Sequence, residues 1–317
     1  MHLKLLRAAA RIAVFGGIVT LGLGSTQAAL ASPTIVPVTC SSSTLAGDMT
    51  SPLNDTVLIL APDCIYTLTA ALTTVTNEVT IVGHKSTSIV RGYSAGPFSI
   101  FAVGTDGDLI LDGVNVRNGG GDDDGGAIYM DPGTVTIHGG IFSDNNTIDG
   151  GGAIYNYHGI LTVDGATFTH NSSEDGGAIY SQGTVTSATL DGDTFSHNYA
   201  SEEGGAIYNE DNDMTIAGGN FRYDSAPYGG AIYNDYDVTI AHTQIAMNSA
   251  SDEGGGIYND DETVTIDGSL IITNWATDGG GGIYNYDGGT VTLVGNLINM
   301  NAPDNCDPTG TITGCTG

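Results

Sequence analysis

Basic residues are nearly missing from this sequence: seven Lys and Arg stand against 36 Asp and Glu, a formal net charge of −29. Such a surface repels polyanions, which excludes nucleic-acid binding. Proline occurs nine times and no strict glycine triplet appears, which excludes collagen. Charged residues are only 14% and glycine is high at 48, which excludes a coiled coil. No long apolar run follows the first thirty residues, so no membrane insertion is expected. The sequence also lacks a Gly-x-Ser-x-Gly elbow, an HExxH pair, a phosphate loop and an EF-hand. Hydrophobic residues still make up 40% and recur in a fixed pattern, which argues against disorder.

Residues 1–31 read as a secretory signal peptide. Lys4, Arg7 and Arg11 precede the apolar run Ile12–Leu23, and Ala29-Leu30-Ala31 is a cleavage site. The run is shorter than the roughly 20 residues that span a bilayer. Cleavage leaves Lys85, Arg91, Arg117 and Arg222 as the basic residues of a secreted, extracellular chain. Cysteine is limited to Cys40, Cys64, Cys306 and Cys315, one close pair near each end. Four cysteines allow three connectivities; local pairing, Cys40–Cys64 and Cys306–Cys315, is favoured, as staples on terminal caps.

One phrase recurs, Gly-Gly-Ala-Ile-Tyr-Asn, with Gly allowed at the third place and Tyr at 129, 155, 180, 208, 233, 258 and 284, spaced by 25 to 28 residues. A β-favouring phrase follows, as in Thr134-Val-Thr-Ile137 and Thr263-Val-Thr-Ile266. A third phrase is an apolar residue, two variable residues, then Asn. It appears as Phe142…Asn145, Phe168…Asn171, Phe195…Asn198, Ile245…Asn248, Ile271…Asn274 and Ile298…Asn301. Three short strands per period of about 25 residues fit one turn of a parallel β-helix, each turn about 4.8 Å from the next. The domain layout expected is a cap with irregular first coils over 32–108, regular repeats over 109–301 and a disulfide tail over 302–317.

These Gly-Gly-Ala-Ile and Phe-x-x-Asn motifs resemble the repeats of chlamydial polymorphic membrane proteins. They are also similar to secreted β-helix proteins of actinobacteria within the pectin-lyase-like superfamily. The closing Asn301 to Cys306 and Gly314-Cys315 resemble the cysteine-bearing tail of that group. The resemblance implies an all-β, right-handed parallel β-helix of about 8–10 coils with disulfide-stapled caps. It implies adhesion only loosely. The membrane barrel of the chlamydial members has no counterpart here, and a free secreted protein is the expectation.

Stacked coils turn positions into ladders. The Ile ladder (128, 154, 179, 207, 232, 257, 283) is core. The Asn ladder (145, 171, 198, 248, 274, 301) is a stacked turn. Strand alternation puts the Tyr beside each Ile outward. Tyr155, Tyr180, Tyr208, Tyr233, Tyr258 and Tyr284 then offer a strip for sugar rings or a partner protein, or simply stack on the sheet. Asn156, Asn209, Asn234, Asn259 and Asn285 are the polar neighbours expected to reach sugar hydroxyls.

Acids form two further rows. One precedes the Gly pairs: Asp122-Asp123-Asp124, Asp149, Glu174-Asp175, Glu202-Glu203, Asp252-Glu253 and Asp278. The other follows the Tyr: Asp131, Glu210-Asp211, Asp235, Asp260-Asp261-Glu262 and Asp287. Like charges one coil apart repel by roughly 1–3 kcal/mol. Screening offsets this, or calcium bridges Asp124, Asp149, Asp175, Glu203, Glu253 and Asp278 as a cofactor. One coil departs from the pattern: Asp224 stands where Asn is due, and Arg222 and Pro227-Tyr228 are equally out of place. His170 and His197 share a register and read as turn residues.

The sequence therefore points to a non-enzymatic, adhesin-like protein that presents an acidic, Tyr-lined surface to a polysaccharide or cell-surface glycan, to cations or to another protein. A polysaccharide lyase or glycosidase is the alternative, with Arg222 and Asp224 as its first catalytic candidates. A passive extracellular structural protein is the third reading.

Overall fold

The computed structural model describes residues 32–50, 55–121, 124–183, 187–286, 288–308 and 312–315. Residues 1–31, read as a signal peptide, and Asp122, Asp123 and Asp287 lie outside the described residues.

The Val-Thr-Ile runs alternate as the sequence demands. In strand Thr134–His138, Val135 and Ile137 are buried and the Thr residues flanking Val135 face outward. Each such strand pairs in parallel with its equivalent one coil on: Val135 sits opposite Leu161 and Ile137 opposite Val163. Repetition builds four parallel sheets. The first runs from Thr34–Val38 to Thr290–Val294 and has eleven described strands. The second runs from Ile65–Leu68 to Leu297–Asn299 and has ten. The third runs from Gly120–Gly121 to Trp275–Ala276 and has seven. The fourth runs from Phe101–Gly104 through Ile283–Asn285 to Cys306–Asp307 and has nine. The chain visits them in turn, as in Ile154–Tyr157, Ile160–Asp164, Thr167–Thr169 and Ser172–Asp175. The result is an all-β parallel solenoid of about ten turns. Its first sheet already begins at Thr34, so the coils preceding the Gly-Gly repeats follow the same path.

The core is a set of columns. The Ile of every repeat from 128 to 283 is fully buried on the fourth sheet. On the second sheet Phe142, Phe168, Phe195 and Phe221 stack ring on ring and give way to Ile245 and Ile271. At the corner after these residues the Asn ladder forms as expected. Asn171 Nδ2 donates to Asn198 Oδ1 at 3.0 Å and to the Phe142 carbonyl at 3.0 Å. Buried amides thereby stay paired along the axis.

Both ends carry disulfides, Cys40–Cys64 and Cys306–Cys315. At the N-terminal end a helix, α1 (Ser42–Asp48), covers the opening; Ser41 caps it by accepting from the Thr44 N–H. Leu45 and Met49 seal its inner face against the first coils. Because Cys40–Cys64 closes a 24-residue separation around this helix, Cys40→Ser with Cys64→Ser is expected to cost about 3 kcal/mol. Urea unfolding followed by circular dichroism measures it, and an unchanged midpoint would mean the helix seals the end unaided. Among the described residues no helix is long and apolar enough to cross a membrane.

Candidate functional site

The outer side of the fourth sheet carries the chemistry. In each Ile-Tyr-Asn strand Ile points into the core, while the Tyr rings gather in a separate cluster on the other side. The outward placement agrees with strand alternation, yet the strip is not exposed: Tyr155, Tyr208, Tyr233 and Tyr258 are only 6–9% accessible. Coil spacing explains this. The rise of about 4.8 Å per coil matches the separation of stacked rings. Tyr180 and Tyr208 lie 4.8 Å apart at 3°, and Tyr233 and Tyr258 lie 4.9 Å apart at 6°. Between these packets the contacts turn edge-on, at Tyr155–Tyr180 and Tyr208–Tyr233. Ring faces that a sugar would need are thus taken by neighbouring rings.

The phenol groups turn toward polar partners. Tyr180 donates to Glu210, and Tyr233 donates to Asp260 at 3.0 Å. Tyr155 donates to Gln182 Oε1 at 2.9 Å. Glu203 and Glu253, from the opposite acid row, act electrostatically on Tyr208 and Tyr284. Burial and these acids push the Tyr phenols well above their usual range, so they remain protonated donors. The two acid rows therefore flank one Tyr band.

Within that frame Asp175 and Glu203 pair in register on adjacent coils. Burial, reinforced by Glu174 and Glu202, pushes the Asp175 carboxyl up to about 6. Burial and then Asp175 push Glu203 up to about 7. On the far side burial, Asp260 and Asp261 push Asp235 up to about 6. Lys and Arg are absent from the sequence between Arg117 and Arg222 and after Arg222. Arg222 itself turns to Asn220 and to Gln244 on the second sheet.

The other expected site residues fall elsewhere. Asn156, Asn209, Asn234, Asn259 and Asn285 are inward and buried, not beside a glycan. The same period of two that turns Ile inward turns these Asn inward as well. Their amides bond along the axis: Asn209 to Asn234 at 2.9 Å, Asn234 to Asn259 at 2.9 Å, Asn259 to Asn285 at 2.8 Å. Among the described residues no three His, Cys, Asp or Glu converge as a metal-binding group. Of the six acids named for calcium, Asp124 accepts from the Gly150 N–H at 2.7 Å and Asp175 from the Glu203 N–H at 3.2 Å. Asp149, Glu253 and Asp278 follow them along the same edge of the Tyr band. Asp224 is fully buried and offers no surface to a substrate. The pairing of Tyr with acid was not foreseen from the sequence, although the second acid row, two or three residues beyond Tyr129, Tyr208, Tyr233, Tyr258 and Tyr284, was visible there.

Residues 126–298, more than half of the chain, match the family described as right handed beta helix region. No curated protein matches the chain.

Proposed function

We propose that this chain, a member of the right-handed β-helix family, is an extracellular, non-enzymatic binding protein. Its Tyr–carboxylate face on the fourth sheet takes a ligand that carries ammonium groups along a line. The observation that supports this reading is the double row of carboxylates around one Tyr band, with Asp175 and Glu203 raised toward neutrality. A cation settling between them relieves the repulsion that helps raise them. Acceptor groups, not ring faces, are what this surface offers, so an amine suits it better than a neutral sugar ring. The two disulfides suit an oxidising exterior and support secretion.

Spermine is a suitable probe. Calorimetric titration is expected to show binding that weakens with salt. Glu203→Gln combined with Glu210→Gln should lower the affinity by about tenfold, equal to roughly 1.4 kcal/mol. The affinity should also rise with pH. The bound cation favours ionised carboxylates, and the free protein holds protons on groups pushed up to about 6 and about 7. The increase therefore falls in the window from about pH 5 to about pH 8. Equal affinity in the double variant, or none in the natural protein, would sink the assignment. Calcium in place of spermine tests whether the rows serve a simple divalent ion.

One observation favours the carbohydrate-active enzyme as a second reading. A carboxyl held near neutrality can act as a general acid. The candidates then move from Arg222 and Asp224 to Asp175 and Glu203. New chain ends released from any polysaccharide, and lost in Glu203→Gln, would establish it.

A further inference from the structure

The coil that breaks the sequence pattern also breaks the hydrogen-bond pattern. In the corner ladder each Asn uses both halves of its amide. Asn198 Oδ1 accepts from the Asn171 N–H and Nδ2, at 3.1 and 3.0 Å. Asn198 Nδ2 donates to the Phe168 carbonyl at 3.1 Å and to Asp224 at 2.9 Å. One coil beyond Asp224, Asn248 Nδ2 donates to the Phe221 carbonyl at 3.2 Å and to Asn274 at 3.0 Å. Asp224 keeps only the accepting half. Its Oδ1 takes the Asn198 N–H at 2.8 Å along with Nδ2, and its own N–H donates to Asn248 Oδ1 at 3.0 Å.

Asp224 Oδ2 is buried without a hydrogen-bond partner. Register gives this atom the place that Nδ2 holds in every Asn of the ladder. In Asn198 that place lies against the Phe168 carbonyl and the side-chain oxygen of the next coil; the counterparts at Asp224 are the Phe195 carbonyl and Asn248 Oδ1, both acceptors. A carboxylate oxygen there would meet two lone-pair carriers in a water-free corner. A proton on Oδ2 removes the conflict, because a neutral acid donates as Nδ2 would.

The same parity fails at another corner, one coil earlier, just before strand Thr194–Ser196. Asp193 Oδ1 accepts from the Ala166 N–H at 2.7 Å, and its Oδ2 is buried without a partner. At the equivalent place four coils later, Asn296 Nδ2 donates to the Ile266 carbonyl at 2.8 Å. Register puts the Val163 carbonyl opposite Asp193 Oδ2.

We propose that Asp224 and Asp193 are held as neutral carboxylic acids, each donating to a carbonyl of the preceding coil, and that they make these two successive coils an acid-closed joint in the solenoid. No charge faces Asp224. Asn198 and Asn248 enclose it, the Arg222 guanidinium turns away to Asn220 and Gln244, and His197 and Tyr223 stack on the exposed side. Asp193 has Asp164 and Asp191 nearby, both of which oppose its ionisation. Burial pushes Asp224 up to about 8 and Asp193 up to about 7. The sign follows: both carboxyls are raised above their unfolded value of 3.8. Their stabilising effect is complete below that value and is lost as pH climbs through the folded values. The joint is closed in acid and loosens above neutrality.

Asp224→Asn tests this and is expected to fold, since it restores the ladder. Amide exchange over residues 198–248 should match the natural protein at about pH 3 and become progressively slower than it as pH rises, by up to about tenfold per unit between the unfolded value of 3.8 and the raised value of about 8, where the difference levels off. Comparing the two proteins cancels the other titrating acids. Difference infrared spectroscopy at about pH 6 should show a protonated-carboxyl stretch in the natural protein that Asp224→Asn removes. Absence of that band, or equal exchange across that pH range, would overturn the proposal.

Discussion

Gly205→Ala is expected to prevent the solenoid from closing, with a loss of more than about 4 kcal/mol and little soluble folded protein. The Gly pair of each repeat does two different jobs. Gly204 sits at φ +63, the left-handed region that side chains resist. Gly205 lies outside that region but has no room: an added Cβ would lie 2.1 Å from the Gly230 carbonyl oxygen and 2.5 Å from the Ser225 nitrogen. Both obstacles are backbone of the next coil and cannot swing aside. Relief requires the coils to part, which breaks the bonds from Gly205 N–H to Gly229 and from Ala206 N–H to Ala231, each 3.0 Å. Gly165→Ala is the control. Gly165 has φ +69 but nothing within 4 Å of an added Cβ, so only the left-handed penalty of about 1–2 kcal/mol applies. Thermal unfolding of both variants separates the two causes. If Gly205→Ala melted no lower than Gly165→Ala, the close approach of the coils would be wrong.

The same stacking determines how much of the fold is legible in the sequence. A solenoid gives each repeat the same surroundings, so the positions of Gly, Ile, Tyr and Asn report the coil, its core and its corner directly. Alternation also tells correctly that Tyr points away from Ile. It cannot tell that the rings cover one another, because accessibility depends on spacing across coils. The inner row Asn156 to Asn285 is legible by that same alternation, and its expected outward position came only from its place beside Tyr. The acid rows are visible as composition. Their chemistry is not, because a carboxylate that accepts from the next coil's N–H, as Asp124 does from Gly150, looks identical in sequence to a metal ligand. At Asp224 the departure itself is the signal: an acid at an amide position of a ladder asks where the missing donor went.

Phe195→Ala is expected to cost about 3–5 kcal/mol, the range for emptying a packed aromatic site. Phe195 lies between Phe168 at 4.9 Å and Phe221 at 4.6 Å, each neighbour parallel to it within 7° and all three fully buried. The flanking rings cannot close the gap, because the backbone ladders on either side fix the coil spacing. Phe195→Ile should cost less, about 1–2 kcal/mol, since Ile245 and Ile271 fill this column beyond Phe221. Urea midpoints measure both. The location of the damage is also fixed by the architecture. Each coil touches only its neighbours, so amide exchange should accelerate between about residue 168 and residue 221 while α1 and the first coils keep their protection. Loss of protection spread evenly over the chain would show that the solenoid unfolds as one cooperative body. In that case ionisation of Asp193 and Asp224 would lower the stability of every coil together, and the joint they form would have no separate motion.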